Sequence, residues 1–172
     1  MLDALLDALP AYAQDVKRTL AVCLEDEILK PTQKWGCLVA AAQALAVPEL
    51  TRAIETESPL SAQVHDAAKA VAAVMGMNNI YFRSTHLMKN GEYAAMRAGI
   101  RMSALQSSMA EKADLDLWAV TVSAINACGA CLDDHEESAR KAGASAAQVQ
   151  AALKLAGAMG GLAAVLRAEA AR

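Results

Sequence analysis

Apolar side chains recur along this chain with the spacing of an α-helix, and no stretch sustains the alternation of a strand. Val64, Ala67, Ala68, Val71 and Val74 or Met75 follow the i, i+3, i+4, i+7 pattern, and Val149, Ala152, Leu153 and Ala156 repeat it. The side chains that build the pattern are small: alanine dominates an apolar share of 55%, while aromatic residues make up only 3%. Small residues favour closely packed helices, whereas a sheet would draw on β-branched and aromatic side chains. With 172 residues the chain is long enough to bury a sizeable core. The expectation is an all-α helical bundle forming a single domain over residues 1–172.

The bundle is expected to consist of two weakly repeated halves, residues 8–88 and 93–168. Ala62-Gln63-Val64 aligns with Ala147-Gln148-Val149, and both segments run into Met- and Gly-containing ends, Val74-Met75-Gly76-Met77 and Ala158-Met159-Gly160-Gly161. Upstream, Lys34-Trp35-Gly36-Cys37 stands at nearly the same offset from Leu117-Trp118-Ala119-Val120. Two copies are too few for a solenoid. Ser61 and Ser145 stand where N-caps are expected, Pro31 suits a first helical turn, and Lys89-Asn90-Gly91-Glu92 reads as the turn linking the halves.

A net charge of −3, with no basic stripe, gives no reason to expect nucleic-acid binding. Asp3 and Asp7 stand where a secretion signal would carry bases, so a cytoplasmic protein is expected. The longest uncharged run, Leu117 to Leu132, falls short of a membrane span and reads as a buried core helix. The chain has four cysteines. Cys23 and Cys37 are isolated on apolar helix faces and are expected to be inert core thiols, and Met75, Met77 and Met88 to be core packing. His65 and His86 read as ordinary polar positions.

The chemistry concentrates at Cys128-Gly129-Ala130-Cys131, with His135 four residues beyond the second cysteine. On a helix, residues three and four apart share a face, so two thiols and a titratable ring cluster by local geometry. Such a dithiol can attack an oxidant as thiolate, pass through a sulfenic acid and close to a disulfide. A structural zinc site would need a fourth ligand, and no second pair with ligand spacing exists. Haem attachment would place the histidine directly after the second cysteine, and a thioredoxin-type centre would follow a strand. Two core cysteines spaced by coincidence are the blandest alternative, although Asp133, Asp134, Glu136 and Glu137 around His135 argue that this turn reaches solvent.

The segment from Asp116-Leu117-Trp118 through Asn126-Ala127-Cys128-Gly129-Ala130-Cys131-Leu132-Asp133-Asp134-His135-Glu136 resembles the active-site segment of AhpD-type alkylhydroperoxidases, within the carboxymuconolactone-decarboxylase-like group. Met75-Gly76-Met77-Asn78-Asn79-Ile80-Tyr81-Phe82-Arg83 and Ala98-Gly99-Ile100-Arg101-Met102 also resemble AhpD segments, and the likeness runs from near residue 8 to near residue 168. It implies an antioxidant thiol peroxidase that reduces organic hydroperoxides, usually as a homotrimer. Its partners would be the peroxiredoxin AhpC and a lipoylated carrier protein whose dihydrolipoyl group is the reductant, with no bound cofactor or metal.

By the same likeness Cys131 is the peroxide-attacking thiol and the sulfur that forms a mixed disulfide with AhpC. Cys128 is the resolving thiol and proton donor, the two forming a Cys128–Cys131 disulfide, and His135 belongs to the proton relay. Two positions depart from the family pattern. Asp116 stands where the relay glutamate is expected, one methylene shorter, which suggests a bridging water. On a straight helix the twelve residues from Asp116 to Cys128 would span about 18 Å, so Asp116 can assist only if the chain folds back near Asn126–Gly129 or a neighbouring subunit supplies the acid. A plain helix-terminal carboxylate is its other reading, with Glu111 and Asp114 as nearby substitutes. Ala130 stands where some relatives carry a histidine. These departures leave two alternatives open: a disulfide-reductase adaptor for AhpC with little peroxidase activity, or a non-catalytic zinc-binding interaction module.

Overall fold

A computed structural model describes residues 1–171, and among these every regular element is helical. In chain order the helices are α1 (Leu2–Asp7), α2 (Gln14–Glu25), α3 (Pro31–Leu45), α4 (Pro48–Glu57), α5 (Ala62–Leu87), α6 (Glu92–Ala95), α7 (Lys112–Ile125), α8 (Gly129–Lys141) and α9 (Ala146–Ala170), with short 3-10 turns at Ala11–Ala13 and Ser103–Gln106. The all-α expectation holds.

Helix starts follow the local chemistry. Pro31 and Pro48 occupy first-turn positions of α3 and α4, where a missing N–H costs nothing. Ser61 caps α5, and Ser145 forms a reciprocal capping box with Gln148 at 2.8 and 3.1 Å. The Lys89–Glu92 turn opens the connection from α5 to α7, which continues through α6 and the second 3-10 turn.

Helices α3, α5, α7 and α9 pack together as the core, with α2 against α9, α4 against α3, and α8 against α7 and α5. At the centre, every residue of α7 from Ala113 to Ser123 is buried. A helix enclosed on all sides needs apolar residues on every face, so α7 shows no amphipathic stripe, and its buried polar residues Asp114, Asp116, Thr121 and Ser123 are hydrogen-bonded. The approach of α3 to α7 rests on Gly36: a Cβ there would lie 2.1 Å from the indole of Trp118. Helix α9 is long and apolar enough to cross a membrane, but 61% of its most apolar window is buried in the bundle, as befits a core helix.

Three expectations need correction. The uncharged run Leu117–Leu132 is not one helix: α7 ends at Ile125 and α8 begins at Gly129. Of the methionine group only Met75 is core; Met77 and Met88 are each 44% exposed. Cys37 is fully buried, but Cys23 is only partly so, beside Lys154 in a small crevice.

Candidate active site

The break between α7 and α8 builds the site. Ala127 adopts a left-handed φ of 52°, and the bonds Ala127 N–H to Ala124 O (3.2 Å) and Cys128 N–H to Ser123 O (3.0 Å) close a Schellman stop. The chain then reverses, and Cys128 becomes the N-cap of α8. Asn79 and Arg83 of α5 brace the reversal: Asn79 Nδ2 donates to Ser123 Oγ at 3.1 Å, Asn126 Nδ2 donates to Asn79 Oδ1 at 3.0 Å, and Arg83 donates to the Asn126 carbonyl.

Cys128 and Cys131 are joined as a disulfide with Cα atoms 5.3 Å apart. Cys128 is fully enclosed, whereas Cys131, 4% exposed, lines a cleft of about 340 Å³. Cys131 therefore offers the sulfur that a small molecule can reach. It lies in the first turn of α8, where unsatisfied backbone N–H groups favour a thiolate over a thiol once the disulfide is reduced.

The chain reversal brings Asp116 to His135. Asp116 Oδ1 lies 3.0 Å from His135 Nδ1 and accepts from Lys112 Nζ at 2.7 Å, while Oδ2 accepts from Ser138 Oγ at 2.6 Å. Asp116 is 0% exposed. Burial alone would raise its carboxyl, but the hydrogen bonds from His135, Lys112 and Ser138, with the Lys112 charge, outweigh it and hold the group below the usual carboxylate range. An ionised Asp116 takes a proton-bearing Nδ1 as its partner, which leaves Nε2 as the ring nitrogen not engaged by Asp116. Asp116, His135 and Cys131 all line the same cleft.

The shorter aspartate thus stands at hydrogen-bond distance from the histidine. The other acids nearby do not compete. Asp114 turns to α3, where it accepts from Gln33 Nε2 at 2.9 Å, and Glu111 is an exposed partner of Lys30 at 3.6 Å. His65 and His86 are absent from the cleft lining. Among the described residues, no group of three or more His, Cys, Asp and Glu side chains is arranged to hold a metal ion.

Sequence reasoning missed Lys112, Ser138 and Asn78. Lys112 precedes Asp116 by one helical turn, and Ser138 continues the Cys131–His135 face of α8, so spacing alone could have found both. Asn78 extends the Val71–Met75 stripe of α5 as a polar residue at a core position.

Residues 91–171 match the carboxymuconolactone decarboxylase family. Over 98% of its length the chain is 46% identical to a protein of Maricaulis maris named alkyl hydroperoxide reductase AhpD, covering 98% of that relative. Proteins of the same name from Hyphomonas neptunium and Streptomyces griseus are 43% and 42% identical, with 96% and 97% of their lengths covered. With its dithiol on a helical hairpin and this likeness along nearly the whole chain, the protein belongs to the AhpD family of alkyl hydroperoxide reductases.

Proposed function

We propose that this protein is an antioxidant thiol peroxidase that reduces organic hydroperoxides within the AhpC system. The observation that carries the reading is the convergence of Cys131, His135 and an ionised Asp116 on one cleft. In the reduced protein, His135 takes the Cys131 proton and the sulfur attacks the terminal peroxide oxygen. An S–O bond forms, the O–O bond breaks, and the departing alkoxide receives the proton held by His135, giving an alcohol and a sulfenic acid. The Cys128 thiol then displaces water from Cys131 and closes the disulfide. A dihydrolipoyl group on a carrier protein returns two electrons by attacking the accessible Cys131 sulfur, and AhpC exchanges with the same sulfur through a mixed disulfide.

The family likeness supports a cytoplasmic homotrimer, and the exposed side chains of Met77, Ile80, Leu87 and Met96 give self-association a surface to bury.

The test is organic-hydroperoxide consumption by the purified protein with a lipoylated carrier, its reductase and NADH, with and without AhpC. Turnover without AhpC that vanishes in Cys131→Ser is expected. Turnover that appears only when AhpC is added would make the chain a disulfide-exchange adaptor, and turnover surviving in Cys131→Ser would overturn the assignment of the attacking sulfur.

A further inference from the structure

Asn78 and Asn79 are adjacent on α5, yet only one of them has work within the fold. Asn79 both donates and accepts across the α7–α8 reversal. Asn78 is 2% exposed, its Oδ1 is sealed from solvent without a hydrogen-bond partner, and the residue lines the cleft that holds Cys131. An unpartnered buried amide costs stability that an apolar side chain of similar size would not. The fold gives no reason for it. Met75 and Phe82 flank Asn78 on α5, and Met102 and Leu105 from the connection to α7 add to this apolar part of the lining; Gln106, Lys112, Asp116, Asp134, His135 and Ser138 make the rest of the cleft polar. An apolar stretch joined to a few convergent polar groups, in one cleft with a reactive sulfur, is the pattern of a site that orients a small, mostly apolar ligand.

We propose that Asn78 is the hydroperoxide-binding residue of this cleft, its amide engaging the –O–OH group while Met75, Phe82, Met102 and Leu105 take the alkyl portion. The inference rests on the peroxidase reading above and adds to it the group that binds the substrate. Before reaction the amide N–H donates to the hydroperoxide, since Oδ1 is sealed from solvent. As the Cys131 S–O bond forms and the O–O bond breaks, the amide N–H donates to the leaving oxygen, where the electron pair collects until His135 delivers its proton. A donor aimed at that developing charge accelerates the step, and its removal costs about 10²-fold in related oxyanion sites.

The experiment separates the two half-reactions. Pre-reduced Asn78→Leu protein is mixed with cumene hydroperoxide and the loss of free thiol is timed; oxidised protein is mixed with dihydrolipoamide and the return of thiol is timed. The expected result is oxidation slowed by about 10²-fold, reduction at the wild-type rate, and an unfolding midpoint equal to or above that of wild type. Asn78→Gln, which keeps an amide, recovers part of the oxidation rate. If Asn78→Leu fails to fold, Asn78→Ser is read in the same two assays. Oxidation at the wild-type rate overturns the proposal, as does equal slowing of both half-reactions, which marks a structural role. Wild-type protein whose thiols resist the hydroperoxide would instead sink the peroxidase reading itself.

Discussion

Asp114 and Asp116 stand two positions apart on one buried helix and are held in opposite senses. Burial raises the Asp114 carboxyl above its ordinary value against the pull of the Gln33 hydrogen bond, whereas the partners of Asp116 hold that group below its own. A depressed carboxyl contributes stability above the ordinary carboxylate range, and that contribution is lost as pH falls through its folded value. A raised one favours the fold only below that range and loses the effect as pH rises through its folded value. Asp116→Asn is therefore expected to lower the urea midpoint at about pH 7 and to flatten the loss of stability toward about pH 3. Asp114→Asn should raise the neutral midpoint and steepen the acid loss. Identical pH profiles for the two variants would contradict this. In turnover, Asp116→Asn removes the acceptor that orients His135, and a fall of about 10²-fold in kcat/KM is expected; unchanged kinetics would dismiss the residue. Cys37 gives a contrast within the same chain. Burial pushes its thiol up to about 12 despite a hydrogen bond with Thr121. In reduced native protein, a thiol reagent should label Cys131 first and reach Cys37 only on unfolding.

At the scale of elements, the boundary that matters most is the one with the weakest signature in the sequence. Helix starts were legible because Ser61 and Ser145 are standard N-caps and Pro31 suits a first helical turn. The end of α7 was legible only as a place, Asn126–Gly129, where the chain could fold back, because its left-handed position is held by Ala127, where glycine is the usual occupant. The dithiol and His135 were legible because they are local, three and four residues apart. The contact of Asp116 with His135, and the place of Asn78 beside Cys131, depend on how α5, α7 and α8 pack, which no local pattern encodes. The same reversal yields a stability prediction. Ala127 is exposed and left-handed, so Ala127→Gly should stabilise the protein by about 1 kcal/mol in urea unfolding. A destabilised variant would refute the strained-stop account. By contrast, Gly36→Ala would drive a methyl into the Trp118 ring, and a loss of about 3 kcal/mol is expected in the same assay; a loss under 0.5 kcal/mol or so, the range of neutral surface changes, would mean that α3 and α7 yield more easily than their packing implies.

For the whole molecule, the disulfide and the bundle divide their tasks. The Cys128–Cys131 bridge closes a loop over a sequence separation of only 3 residues, so its restriction of the unfolded chain is small, about 2 kcal/mol by loop entropy. The fold is held by α3, α5, α7 and α9, and reduction should leave it intact. Far-UV circular dichroism of reduced and oxidised protein should therefore coincide, with urea stabilities differing by no more than about 2 kcal/mol. Collapse of the reduced form would show that the bridge is structural and unsuited to a cycle that opens it at each turnover.

Helix α5 carries one further implication. Asn78 and Phe82 border the cleft, while Asn79 and Arg83, each one position on, hold the reversal that carries the cysteines. Two surfaces that must stay in register are thus inscribed on one rigid rod, offset by a single residue. If α5 slides or tilts as the bundle breathes, the wall of the cleft and the anchor of the sulfurs travel together. Their alignment is kept by the pitch of a helix and does not depend on the long connection between α5 and α7.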